Sequence, residues 1–410
     1  MSEHPRRFAP PYLPLGDLQA LDAEHVMQTY GRLPIAFVRG EGTLLFDSEG
    51  NRYLDFLGGL AVTSLGHAHP EVADAIADQA RTLLHVSNLY LNDVQPLVAA
   101  RLDALLGGGG RVFFANSGAE ANECAIKLAR RWGQTNFGPE RFHVVSAWGS
   151  FHGRTLTSLA ATGQPQKHEA FQPLPEGFRH VPFGDLPDLE AALDERVCAV
   201  LLEPLQGEGG VVEPPAGFLA DVRRLCHERE VLLLFDEVQT GLGRTGSWFA
   251  HQHDGVAPDV VTMAKALGNG MPIGACWAHA DVAAAFRPGD HASTFGGQPL
   301  AARAALAVLD VMEREDVPAR ALAAGARLAA GLASIPNVES LRGRGLLLAA
   351  ELTPGIDSAA AMRACLDAGL IVNNVTPTAL RFAPSLLVED AEIDEALAIL
   401  EKVLDAMERT

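Results

Sequence analysis

At 410 residues and 48% apolar composition, the chain can bury one sizeable core or two. A net charge of −19 argues against nucleic-acid and membrane-surface partners, because both are anionic. No apolar run approaches the roughly 20 residues that span a bilayer, and the five cysteines (Cys124, Cys198, Cys226, Cys276, Cys365) show no C-x-x-C spacing, as expected of reduced, structural thiols in a cytoplasm.

In chain order, the opening stretch MSEHPRRFAPPYLPLG has arginines but no apolar core behind them, so it does not read as a secretory signal. The first sixty residues are irregular and strand-rich, with a hairpin candidate in GTLLFDSEGNRYLDF. His67 and His69 in LGHAHP have the look of a metal pair. No third ligand lies nearby, and a turn before a helix opening at Pro70 explains them better, so no metal site is expected. From Pro70 the texture changes. EVADAIADQARTLL reads as an amphipathic helix, and RVFFA, RFHVVSA, CAVLLEP, EVLLLFDE and DVVTMA read as strands separated by helical patterns such as GFLADVRRLCHER. That alternation implies right-handed crossovers and a parallel sheet covered on both faces. After about residue 300 a long alanine-rich helix, strands GLLLAAEL and ALRFAPS, and a terminal helix complete the chain. The expected architecture is α/β: a large domain over residues 66–300, and a smaller α+β domain assembled from residues 1–65 and 301–410.

Ligands of such a sheet sit at the carboxyl ends of its strands. RVFFA runs into NSGAEANECAIKLA, where Ser117, Gly118 and Ala119 open a helix whose free N–H groups suit a phosphate; taken alone, a serine there is usually only a cap. RFHVVSA runs into WGSFHGRT, where Phe151 can stack on a flat ring and Arg154 can clamp a carboxylate, or where a core aromatic adjoins a surface arginine. CAVLLEP leads to LQGEGG, with Glu203, Gln206 and Glu208 among glycines. EVLLLF ends at Asp236 and Glu237, followed by Val238 and Gln239.

Two adjacent carboxylates after an apolar strand also suit the magnesium-binding strand of a P-loop ATPase. That fold needs a lysine directly after a glycine. The four lysines here follow Ile126, Gln166, Ala264 and Glu401. The alternative for Asp236 is a buried cation, such as a protonated heterocycle. Lys127 and Lys402 read as solvated on helices, and Lys167 as part of a polar loop. Lys265 follows the apolar strand DVVTMA and precedes ALGNGMPIGA, which reads as a flexible glycine-bearing segment; after such a strand a long cation is rarely useful as packing, and a buried amine becomes a nucleophile for carbonyls. A nucleophilic lysine, a carboxylate for a ring nitrogen, a phosphate turn and a stacking aromatic at successive strand ends together specify pyridoxal phosphate.

The segments FFANSGAEANECAIKLAR, FHGRTLTSLAATG, EPLQGEGGV, FDEVQTGLGRTG, PDVVTMAKALGNGMPIGA and STFGGQPLA resemble class III pyridoxal-phosphate aminotransferases, from about residue 30 to the C-terminus. Through YLDFLGGLAVTSLGHAHP, VSNLYLN and STFGG the chain is most similar to the acetylornithine-transaminating subgroup. The resemblance implies a fold-type I enzyme and a set of roles. Lys265 would bond the cofactor and shuttle a proton. Asp236 would pair with the pyridine nitrogen, and Gln239 would lie near the ring hydroxyl. Val238 and Phe151 would sandwich the ring. Ser117, Gly118 and Ala119 would receive the phosphate, reached from a neighbouring subunit by Thr294, which implies a homodimer. Arg154 and Ser293 would bind the amino donor, and Arg381 the α-carboxylate of 2-oxoglutarate or glutamate, with Glu208 pairing Arg381 while the donor is bound. Two departures stand out: ALGNG where GLGGG is expected after the lysine, and a single proline in LRFAPSL where two are expected. Transaminases of succinylornithine, ornithine, 4-aminobutyrate or a carrier-linked lysine precursor share the pattern. An aminomutase or racemase would not need both Arg154 and Arg381, and a non-enzymatic binding protein would not need Lys265.

Overall fold

The computed structural model describes residues 13–408; the part of the N-terminal stretch read above against a secretory signal that precedes residue 13 lies outside them. A helix over Leu15–His25 opens the described chain, unheralded by the sequence because none of its residues is buried and no apolar periodicity marks it. Strands β1 (Phe37–Glu41), β2 (Leu44–Asp47) and β3 (Arg52–Asp55) follow as an antiparallel meander. The expected hairpin is β2–β3. Asp47 closes it by accepting from the N–H groups of Glu49 and Asn51, both at 2.9 Å.

Seven strands form the large sheet: β4 (Gly110–Ala115), β5 (His143–Ala147), β6 (Phe178–Val181), β7 (Val197–Leu202), β8 (Leu232–Asp236), β9 (Val260–Met263) and β10 (Gly274–His279), in the order β4-β10-β9-β8-β7-β5-β6. Every residue of β7 and β8 is buried, which is why both read as unbroken apolar runs. The sheet is parallel from β6 through β9, and β10 runs antiparallel to both its neighbours. The segment linking β9 to β10 is too short for a crossover, so the chain reverses there. The glycine-bearing GMPIGA, read from sequence as a flexible segment, is therefore partly a strand. Gly274 is required by proximity, since a Cβ there would lie 2.3 Å from the Ser117 carbonyl oxygen.

The single alanine-rich helix expected after residue 300 is two, Pro299–Arg314 and Val317–Ser334. Asp316 adopts a left-handed φ of 45° between them, and Pro318 cannot donate to a continuing helical ladder. A second antiparallel sheet follows, with order β11-β12-β15-β14: β11 (Val338–Arg344), β12 (Leu347–Leu352), β14 (Asn373–Thr376) and β15 (Ala379–Phe382). The short β13 (Leu370–Ile371) leaves that sheet and pairs in parallel with β3, Leu370 opposite Leu54, so the two chain ends build the smaller α+β part together. A helix over Asp390–Glu408 closes the chain. Among the described residues no helix is long and apolar enough to cross a membrane.

Candidate active site

Asp236 ends β8, and its carboxylate is held from several directions. Oδ2 accepts from Asn122 Nδ2 at 2.7 Å and lies 2.8 Å from His152 Nδ1, while Oδ1 accepts from the Val238 N–H at 3.0 Å. Glu237 points the opposite way, as strand alternation requires. It accepts from Thr240 Oγ1 (2.5 Å) and from the N–H groups of Ala250 (3.0 Å) and His251 (2.9 Å), and it meets His251 Nδ1 at 2.9 Å. The adjacent carboxylates thus have unlike duties: Glu237 caps a buried 3₁₀ turn, and Asp236 faces a cavity.

That cavity measures about 390 Å³, within the usual range for small-molecule sites, and lies at the carboxyl ends of the large-sheet strands. After β4, Ser117 caps the helix Gly118–Phe137, its Oγ accepting from the Glu120 N–H at 3.2 Å. The N–H groups of Gly118 and Ala119 have no partner among the described residues, which leaves them to an anion. Glycine at 118 is enforced: a Cβ would stand 2.7 Å from Val238 Cγ1. After β5, the Phe151 N–H donates to Glu203 Oε2 at 3.1 Å. Glu203 follows β7 and also accepts from the Gly207 N–H at 3.2 Å, tying the aromatic segment to the QGEGG turn. Burial, reinforced by Asp236 and opposed by His152, pushes the Glu203 carboxyl up to about 7.

Lys265 stands two residues beyond β9 with a left-handed φ of 41°, a conformation costing a non-glycine residue about 1–3 kcal/mol. Its Nζ makes no hydrogen bond or ion pair among the described residues. Burial lowers the amine to about 8, against the opposing field of Glu208. Downstream, Asn269 takes φ 46°, a conformation asparagine tolerates, and its side chain ties the turn to the N–H of Leu65 (2.8 Å) and the carbonyl of Gly66 (3.0 Å). The departure from a glycine-only turn thus adds a tether.

Arg381, from β15, is 0% exposed. Its Nη1 donates to Glu208 Oε1 at 2.6 Å and its Nε to Asn373 Oδ1 at 2.9 Å, and its Nη2 has no partner among the described residues. Burial raises the Glu208 carboxyl, but Arg381 more than offsets this and holds it below the ordinary range. Arg154 is exposed at the rim, its Cζ 5.7 Å from the centre of the Phe151 ring.

Ser117, Gly118, Ala119, Phe151, Arg154, Glu208, Asp236, Val238, Gln239 and Lys265 all line this one cavity. Arg381 stands behind Glu208, outside the lining. Ser293 and Thr294 line a different cavity, beside Asn88 and Leu89. Ser293 touches the first site through Asn116, whose Nδ2 donates to its Oγ at 3.2 Å. His67 hydrogen-bonds Asp55 Oδ2 at 2.7 Å. Sequence reasoning passed over Asn122 and His152, the partners of Asp236. His152 sits in the quoted FHGRT, but its contact with Asp236 is purely tertiary.

The residues present fit pyridoxal phosphate. Lining the cavity are the amine of Lys265, N–H groups at a helix start, a buried carboxylate, and the buried nitrogens His152 Nε2 and Gln239 Nε2; among the described residues the amine, the N–H groups and both nitrogens have no hydrogen-bond partner. Together with the mostly parallel sheet they define a fold-type I enzyme that uses this cofactor. The class III aminotransferase family model matches residues 26–404, and the chain belongs to that family. It is 51% identical over 385 residues to an acetylornithine aminotransferase of Gloeobacter violaceus, covering 93% of this chain and 96% of that one. It is 48% identical to an acetylornithine aminotransferase of Caldanaerobacter subterraneus, covering 93% and 98%. Among solved structures it resembles an ornithine aminotransferase from Toxoplasma gondii (TM-score 0.93, 35% identity, 97% and 96% covered). It also resembles an acetylornithine aminotransferase from Elizabethkingia anophelis (TM-score 0.86, 31% identity, 96% and 100% covered). The protein is a pyridoxal-phosphate-dependent aminotransferase.

Proposed function

We propose that this enzyme transfers the δ-amino group of N2-acetyl-L-ornithine to 2-oxoglutarate, giving N-acetyl-L-glutamate 5-semialdehyde and L-glutamate, a step of arginine biosynthesis in the cytoplasm. The observation that carries the reading is the pair of arginines at different depths, the inner one neutralised. A donor reacting at its δ-amine must keep its α-carboxylate far from Lys265, at the exposed Arg154, with Ser293, which accepts from Asn116 of the same cavity, as the second donor-binding residue. Its cationic amine then passes Arg381, whose charge Glu208 cancels at 2.6 Å. Glutamate and 2-oxoglutarate react next to their α-carboxylate, which replaces Glu208 at Arg381.

Bound pyridoxal phosphate supplies an electron sink for the carbanion formed when the substrate loses a proton. The chain's residues arrange that chemistry. Lys265 would bond the cofactor and then serve, through its Nζ, as the group that moves a proton. Asp236, fixed by Asn122 and His152, would keep the pyridine nitrogen protonated. Phe151 and Val238 would flank the ring, Gln239 would lie near its hydroxyl, and Ser117, Gly118 and Ala119 would receive the phosphate. Thr294 would complete the phosphate site from a second subunit of a homodimer. That reading is supported by its place outside the first cavity and by the exposed apolar side chains near it, Leu89 (85%), Leu91 (92%) and Phe295 (65%). We divide the chain near residues 65 and 300, where the strands change from one sheet to another.

Kinetics with acetylornithine, succinylornithine, ornithine and 4-aminobutyrate against 2-oxoglutarate test the assignment. Acetylornithine is expected to give the highest kcat/KM, and a higher value for any other donor replaces it.

A further inference from the structure

Lys167 plays no part in the site as described so far, yet it is placed beside it. It ends a 3₁₀ turn (Pro165–Lys167), is half-buried, and sets its Nζ 5.3 Å from the centre of the Phe151 ring. Arg154 Cζ lies 5.7 Å from the centre of the same ring. Two cations therefore share one aromatic side chain at the rim. Neither has a carboxylate partner among the described residues. Lys167 hydrogen-bonds the neutral Gln164 side chain, whose Nε2 is in turn committed to the carbonyls of Gly149 (3.4 Å) and Ser150 (3.1 Å). Burial and the Arg154 charge both disfavour the ammonium, while the Glu208 carboxylate favours it; that carboxylate is occupied by Arg381. A chain with net charge −19 has thus left two like charges over one aromatic ring, without a carboxylate partner among the described residues, beside the cavity that holds Lys265.

Like charges at close quarters repel, and an anion between them relieves the repulsion. We propose that Lys167 and Arg154 together form the subsite for the distal carboxylate common to both substrates: the α-carboxylate of the donor and the γ-carboxylate of glutamate or 2-oxoglutarate. This rests on the two-substrate reading above and adds a residue to it. The two side chains are complementary. The guanidinium fork fixes orientation bidentately, and the ammonium supplies a point charge on a flexible stem that follows carboxylates of different reach. A cation–π contact with Phe151 holds each in place and couples the subsite to the ring-stacking residue.

The test uses the holoenzyme, its Lys167→Met and Lys167→Arg variants, and two donors: acetylornithine and N-acetyl-1,4-diaminobutane, which lacks only the carboxylate. The ratio of kcat/KM for acetylornithine to that for the carboxylate-free donor is expected to fall about tenfold in Lys167→Met, through KM rather than kcat, and to return in Lys167→Arg. The KM for glutamate should rise in parallel. A ratio unchanged in Lys167→Met, or a loss equal for both donors, overturns the proposal. A wild-type enzyme that turns over glutamate but not acetylornithine overturns the donor assignment instead, and the glutamate KM then decides the role of Lys167 by itself.

Discussion

Asp236 and Glu237 are neighbours of like chemistry whose loss should have unlike consequences. Asp236→Asn keeps the shape and one acceptor oxygen, for either Asn122 or the Val238 N–H, but removes the charge that stabilises a protonated pyridine. The fold should survive, and proton transfer in either half-reaction should slow at least a hundredfold, about 3 kcal/mol in the barrier, as stopped-flow absorbance would report. Glu237→Gln instead leaves a buried cap without its charge. A buried N–H left without its acceptor costs about 1–3 kcal/mol, so denaturant unfolding should show a loss of stability of that order. Lys265 gives a pH dependence whose sign follows from its burial. The amine attacks a carbonyl when neutral, and it is neutral above about 8 in the cofactor-free protein. The rate at which that protein takes up pyridoxal phosphate should therefore climb with pH through about 8 and then level off; a rate flat from pH 6 to 9 would contradict it. Glu208→Ala leaves Arg381 bare, so the acetylornithine half-reaction should slow and the glutamate half-reaction should quicken in single-turnover spectra.

At the scale of elements, the helix start after β4 is the most demanding local structure. Gly118→Ala would press a methyl group against Val238 at 2.7 Å. It should weaken retention of pyridoxal phosphate on dialysis by tenfold or more, with a modest change in Tm. Elements whose burial pattern matches their period were legible. β7 and β8 are buried throughout and lead to Glu203 and Asp236 at their ends, and the amphipathic helix from Pro70 shows its stripe. Elements that depend on contacts distant in sequence were not. β10 looked like a flexible glycine segment because its glycine answers to the Ser117 carbonyl. The break at Asp316 hides in an alanine-rich stretch with no apolar signal of its own. The same limit applies within the site. Lys265 stood out through its strand and the scarcity of lysines, whereas Asn122, His152 and Lys167 gain meaning only from side chains far away in sequence.

At the scale of the whole molecule, Leu89, Tyr90, Leu91 and Phe295 expose large apolar side chains on two segments that Asn88 joins through hydrogen bonds to the Ser293 and Gly296 carbonyls, next to the cavity that holds Thr294. Leu91→Arg should shift sedimentation from dimer to monomer and release cofactor with it. A monomeric wild type that keeps its cofactor would remove the shared-site reading.

The pairing of β13 with β3 brings together segments from opposite ends of the chain, and it is reinforced by a 3.0 Å hydrogen bond from Thr43 Oγ1 to Glu392 Oε2 across 349 positions. Contacts so far apart in sequence close late. During synthesis the large sheet has all its strands long before β13 and β15 leave the ribosome, so Lys265 and Asp236 are in place while Arg381 is still unmade. The nascent chain thus carries the residues proposed to receive the cofactor before it carries the arginine proposed to receive the α-carboxylate, and the substrate-selecting side of the site is the later one to be made.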